Sequence, residues 1–140
     1  MFIKGDHAMA TIPEKYLDLL TKKKAFATIA TTMPDGSPQV TPVWFDYRDG
    51  IVRVNTAKGR VKARNLKKDA AVALAIVDPD NPYRYVQIRG QVRRVTEEGA
   101  KAHIDSLAKK YRGEDKYSSG APGEVRLMCE IEPKSASGMG

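Results

Sequence analysis

Ala25–Thr56 reads AFATIATTMPDGSPQVTPVWFDYRDGIVRVNT, and its alternation and punctuation decide the fold class. β-Branched residues recur from Ala25 to Thr31, and Pro34, Asp35 and Gly36 then supply turn chemistry before a second extended run, Pro38 to Tyr47. Asp49 and Gly50 mark another tight turn. In Ile51–Thr56 the residues Val52, Val54 and Thr56 alternate with Ile51, Arg53 and Asn55. The spacing predicts a three-strand meander.

Working outward, Lys58–Lys68 reads as a short helix with Val61 and Leu66 toward a core. Ala70–Val77 is almost continuously apolar, as expected of a strand covered on both faces. After an Asp78–Pro82 loop, Tyr85–Val95 alternates Val86, Ile88 and Val92 with Gln87, Arg89, Gln91 and Arg93. Thr96 is placed to cap a helix whose apolar positions are Ala100, Ile104, Leu107 and Tyr111, and a Gly/Ser/Pro-rich loop, Gly113–Gly123, follows it. A last strand, Val125–Ile131, is expected to stop at Pro133. Upstream, Thr11 to Glu14 forms a T-x-x-E capping box with Pro13 in the first turn, and Tyr16, Leu17 and Leu20 follow at helical spacing. Met1–Ala8 looks unlike the rest and reads as an expression remnant ahead of one domain spanning 9–140. The element order predicts a mainly β protein with flanking short helices, closed as a six-stranded antiparallel barrel.

Among 140 residues, 41% are hydrophobic and 29% charged, which is ordinary for a globular chain, and no apolar run approaches a bilayer span. Cys129 is the single cysteine, and His7 and His103 are the only histidines, so neither an internal disulfide nor a clustered metal site is expected. His103 lies beside the apolar stripe of its helix and reads as structural. No secretory signal is visible, which places the chain in the cytoplasm.

The net charge of +7 favours anionic partners without naming them. Position along the chain is more informative. Lys58, Arg60, Lys62, Arg64, Lys67 and Lys68 are six cations in eleven residues with no acid among them. Lys67 and Lys68 suit a helix C-terminus, whereas Lys58, Arg60 and Lys62 crowd the opposite end, where a bound anion would relieve their repulsion. Gly59 permits close backbone approach and Thr56 offers a hydroxyl, so the segment reads as a phosphate cradle. It matches neither phosphate-binding glycine fingerprint of nucleotide proteins. The cations are not interleaved with stacking aromatics, which argues against a nucleic-acid module.

Three segments, Asp35–Trp44, Asn55–Leu66 and Asp78–Gly90, resemble the pyridoxamine 5′-phosphate oxidase-like split-barrel superfamily, and within it the deazaflavin (coenzyme F-420)-dependent oxidoreductases. The resemblance implies a Greek-key-like split barrel and a homodimer with cofactor sites at the subunit interface. It implies that Thr56, Lys58, Arg60, Lys62 and Asn65 hold the cofactor phosphate. Gln39 is implied beside the ring system, Thr41 and Asn55 on the same wall, and Tyr83, Arg84 and Tyr85 near the cofactor mouth. Trp44 can roof the ring or pack the core. The implied cofactor is coenzyme F-420, whose phosphodiester and polyglutamate tail suit a broad basic stripe, with FMN as the alternative. The implied reaction is hydride transfer to an electron-poor conjugated small molecule. No catalytic acid or base is assigned.

Overall fold

The computed structural model describes residues 10–140; the expected leader, with His7, lies outside the described residues. The chain is mainly β, with strands β1 (Ala27–Thr32), β2 (Pro38–Val43), β3 (Phe45–Arg48), β4 (Ile51–Ala57), β5 (Ala71–Asp78), β6 (Asn81–Thr96) and β7 (Arg126–Met139). A single turn of 3-10 helix (Glu14–Tyr16) runs into α1 (Leu17–Thr21); α2 (Val61–Asn65) and α3 (Ala100–Arg112) complete the elements. All strand pairs are antiparallel, and the sheet order β2-β1-β5-β6-β7-β4-β3 bends into a half-barrel.

Seven strands are present, not the expected six, because the run Pro38–Tyr47 is broken at Trp44. Its first half pairs with β1, Ala27 opposite Val43, and its second half pairs with β4, Phe45 opposite Val54. One chain segment therefore forms both edges of the sheet, and Trp44 is the joint between them. The expected meander is thus two hairpins at opposite edges. The second turns through Asp49 and Gly50 at φ of 53° and 80°, the left-handed pair that a two-residue hairpin loop requires.

The joint is fixed by α3. Phe45 N–H donates to the Tyr111 hydroxyl at 3.3 Å, and the Phe45 carbonyl accepts from Lys110 Nζ at 2.9 Å. The Tyr111 hydroxyl in turn donates to Ala25 O at 2.7 Å, and its ring stacks on Trp44 with centroids 5.2 Å apart. Burial pushes the Tyr111 phenol up to about 12, so it stays a neutral donor. Tyr111→Phe, which removes the hydroxyl and keeps the ring, is expected to cost about 1–2 kcal/mol by denaturant unfolding, because buried backbone groups lose their partner.

Phe45, Leu19, Leu20, Ile29, Val52, Val54, Leu74, Ile76, Val86, Ile88 and Ile131 form the buried core. The capping box does not form: Pro13 precedes the first turn in an extended conformation and no side chain caps it. Instead Ala10 N–H donates to Pro133 O at 2.9 Å, and Tyr16, Leu19 and Leu20 bury against the sheet. Pro133 does not end β7. Beyond Ile131 that strand pairs only with β6, so a residue without an N–H is tolerated there, beside a register shift at Arg89/Gly90. A side chain on Gly90 would meet Glu132 O at 2.8 Å, which explains the glycine.

Below α1, Arg84 pairs with Asp18 and Asp78, and Lys23 with Asp78 and Asp80. Lys23, the neighbouring Asp80 backbone N–H and Arg84 hold the Asp78 carboxyl well below the usual carboxylate range. A depressed folded pKa stabilises above about pH 4 and loses that contribution as pH falls through the folded value. Asp78→Asn should therefore lower the Tm at pH 7 and make the remaining Tm less sensitive to acid; a Tm series from pH 7 to pH 3 checks both. Among the described residues no helix is long and apolar enough to cross a membrane.

Candidate functional site

The strand joint, α3 and the basic segment meet around a cavity of about 280 Å³. Phe26, Pro42, Val43 and Trp44 line one wall, Ile104 and Leu107 of α3 the floor, and Tyr117 of the long loop leans over it. Trp44 meets the Tyr117 ring edge-on at 6.1 Å and carries the Arg112 guanidinium 4.9 Å above its own face. The polar end is formed by Asn55, Arg60, Lys62 and Arg126.

Chain geometry delivers those four together. β4 runs directly into the Gly59 turn, where φ is 94°, so Arg60 and Lys62 follow the strand end that carries Asn55. Arg126 is the first residue of β7 and pairs with Ala57 at that same end of β4. Glu124 accepts from Arg126 Nη1 at 2.8 Å and pairs with Arg60 at 3.3 Å, one carboxylate for two guanidiniums. Lys62 is half-buried and has no carboxylate partner among the described residues. Burial, together with the charges of Arg60 and Arg126, lowers its ammonium pKa. A desolvated cation facing two others is stabilised by an incoming anion.

Of the residues expected to bind cofactor, Asn55, Arg60 and Lys62 line this cavity. Thr56 points to the opposite face of β4, buried, with its hydroxyl unpartnered among the described residues. Asn65 is buried too, and its amide donates to Thr31 Oγ1 at 3.1 Å, with Gln39 Oε1 at 3.5 Å, so those two form a second polar group beside α2. Thr41 is half-buried on β2 opposite Ile29. Lys58 lies on the surface near Glu97 at 3.5 Å. Tyr83, Arg84 and Tyr85 open β6 away from the cavity lining: Tyr83 is 80% exposed, Tyr85 pairs with Met139, and Arg84 is committed to its carboxylate clamp. Sequence reasoning did not find Arg112, Tyr117 or Arg126, which reach the site from 50 to 70 residues downstream. The short helix is also shorter than expected, since Lys67 and Lys68 fall beyond its end.

Residues 12–137 match the family model described as pyridoxamine 5′-phosphate oxidase. The chain belongs to the pyridoxamine 5′-phosphate oxidase-like split-barrel family. A solved structure described as an F420 reductase is similar over 90% of this chain and 98% of its own, at 33% identity and a TM-score of 0.77. A conserved hypothetical protein of Mycobacterium tuberculosis is 22% identical, with 95% of this chain and 87% of that one covered and a TM-score of 0.71. The FAD and haem binding protein of Mycobacterium smegmatis shares the fold at 16% identity, covering 92% and 71%, with a TM-score of 0.65. Family membership, with the similarity to the F420 reductase, supports an oxidoreductase using a flavin-type cofactor.

Proposed function

We propose that the chain is a coenzyme F-420-dependent oxidoreductase that moves a hydride between the deazaflavin and an electron-poor conjugated small molecule. The observation that carries this is Lys62, a partly desolvated cation held beside Arg60 and Arg126 and opposed by the single carboxylate of Glu124. Such an end fits the phosphate of a flavin-type cofactor, and the similarity to an F420 reductase favours the deazaflavin. When bound, the reduced cofactor supplies a hydride. Lys62 and Arg60 would bind its phosphate, and the Trp44 and Tyr117 rings that line the cavity would shield the reacting ring from water. On this reading Gln39, beside Asn65, would offer an amide to the cofactor's ring edge, with Thr41 on the same strand, whereas Thr56 faces away from this cavity. Lys58 extends the basic surface toward a polyanionic tail.

The proposed working unit is a cytoplasmic homodimer of the domain 9–140, with Tyr83, Arg84 and Tyr85 lying toward the partner's cofactor mouth. Its support is the outward face of the sheet. β5 was expected to be covered on both sides, yet its outer face leaves Ala71 and Val77 exposed and Ala73 and Ala75 half-buried. Register continues this face through Val40, Ala30 and Ala73 in one row and Pro42, Thr28 and Ala75 in the next. Small, uncharged side chains on this face suit packing against a second sheet. Pro42 belongs both to this face and to the cavity wall, so a partner seated here would border the cofactor.

Titration of the protein with F-420 and FMN side by side tests the assignment. Saturable F-420 binding tighter than FMN is expected. Tighter FMN binding, with yellow protein on purification, would assign the flavin instead, and binding of neither would remove the oxidoreductase reading.

A further inference from the structure

Arg126 is held unusually firmly for a cavity residue. Its side chain is 7% exposed, Nε donates to Asn55 Oδ1 at 2.9 Å and Nη1 to Glu124 Oε1 at 2.8 Å. Nη2 makes no hydrogen bond among the described residues and is not a fully buried atom, and Arg126 lines the cavity. Two of the three guanidinium nitrogens are thus spent on position, and the third is left without a partner among the described residues.

The partner that pins Nε is itself set from behind. Asn55 Nδ2 donates to Ala100 O at 2.9 Å and lies 3.0 Å from His103 Nδ1. The other ring nitrogen, Nε2, faces Asp46 Oδ1 at 3.3 Å, within ion-pair range but without a well-aligned hydrogen bond. Asp46 is gripped by Arg53 through Nε at 2.8 Å and Nη2 at 2.6 Å. Because Ala100 O accepts from Asn55 Nδ2, Asn55 turns its NH2 toward His103 Nδ1. Its oxygen is then left for Arg126. A flipped amide would set NH2 against the Arg126 Nε–H.

We propose that Arg126 is an oxyanion-binding residue of this cavity, and that Asn55, His103 and Asp46 are positioning residues that aim its free nitrogen. The ligand class is an oxyanion on an aromatic carrier, since Trp44 and Tyr117 line the cavity together with Arg126, whose guanidinium carbon lies 5.1 Å from the Tyr117 ring. The inference deepens the cofactor reading, because the oxyanion belongs either to the cofactor's phosphate or to a substrate carboxylate. A pre-aimed guanidinium loses little freedom on binding, which is what a specificity-determining contact needs.

Trp44 is the only tryptophan and lines the same cavity, so its fluorescence reports occupancy directly. The full chain is titrated at fixed ionic strength with phenyl phosphate, benzoate and, as the neutral control, benzyl alcohol. At least one anion should saturate with a Kd about tenfold or more below that of benzyl alcohol, phenyl phosphate pointing to a phosphoester and benzoate to a carboxylate. Arg126→Gln and Arg126→Lys should each raise that Kd about tenfold, the lysine failing because it lacks the fork; it also keeps the test open if the glutamine variant unfolds. Asn55→Leu and His103→Phe should raise it roughly threefold to tenfold, and His103→Phe should add nothing in the Arg126→Gln background, as expected of coupled residues. No anion preference in the parent protein, or an unchanged Kd in both Arg126 variants, would overturn the site. An undiminished His103→Phe effect without Arg126 would overturn the positioning chain. Arg126-dependent probe binding with no F-420 or FMN affinity sinks the cofactor reading alone, whereas cofactor binding with probes indifferent to Arg126 sinks this inference alone.

Discussion

Lys62→Ala is expected to weaken cofactor binding by about 1–3 kcal/mol, roughly fivefold to 150-fold in Kd, without lowering the stability of the ligand-free protein. The two halves of that expectation share one cause. Burial and the charges of Arg60 and Arg126 already lower the lysine's pKa, so the folded chain holds its charge at a cost. A group whose folded pKa is depressed in this sense contributes nothing favourable as a cation, and its removal leaves the apo Tm unchanged or raised. An anion seated beside it reverses the balance. Calorimetric or fluorescence titration gives the Kd and a thermal melt gives the stability; a parallel fall in both would mean that Lys62 is a packing residue.

If the proposed homodimer forms through the outer sheet face, Ala75→Glu should leave a monomer and abolish measurable cofactor binding at concentrations that saturate the parent chain. Ala75 lies mid-strand on the outer face, opposite Thr28 and Gln87, with no cation in its own register row. In a two-fold interface the substitution buries one unpaired carboxylate from each subunit, and each costs several kcal/mol after relaxation. Within the monomer the residue is half-buried on the sheet surface, so the fold should survive. Light scattering coupled to size exclusion reads the mass, and a titration on the same sample reads the cofactor. A dimer that persists, or a monomer that binds normally, contradicts the interface reading.

Much of the fold was legible because short-range patterns report it. The alternation around Val52 and Val54, the apolar run of β5 and the stripe Ala100, Ile104, Leu107 and Tyr111 all became the elements they announced. The break at Trp44 had no such marker. Pro38–Tyr47 is locally one extended segment, and only the different partners of its halves, β1 for one and β4 for the other, divide it. Pro133 misled for the opposite reason: a local stop signal was overridden because β7 has a strand partner on only one side there. At the site, charge density pointed to Arg60 and Lys62. It could not point to Arg126, an isolated cation in sequence that antiparallel pairing with Ala57 carries to the same place. Asn65 and Gln39 were read as ligand contacts, and the fold brings them to each other.

In the proposed complex an anion of the cofactor meets the Arg60, Lys62 and Arg126 end of the cavity. A crystal structure of the protein with F-420 measures this directly. A phosphorus atom whose oxygens lie within hydrogen-bond reach of Lys62 Nζ is the expected result, whereas a bound cofactor with its phosphate elsewhere and Lys62 facing solvent would contradict it.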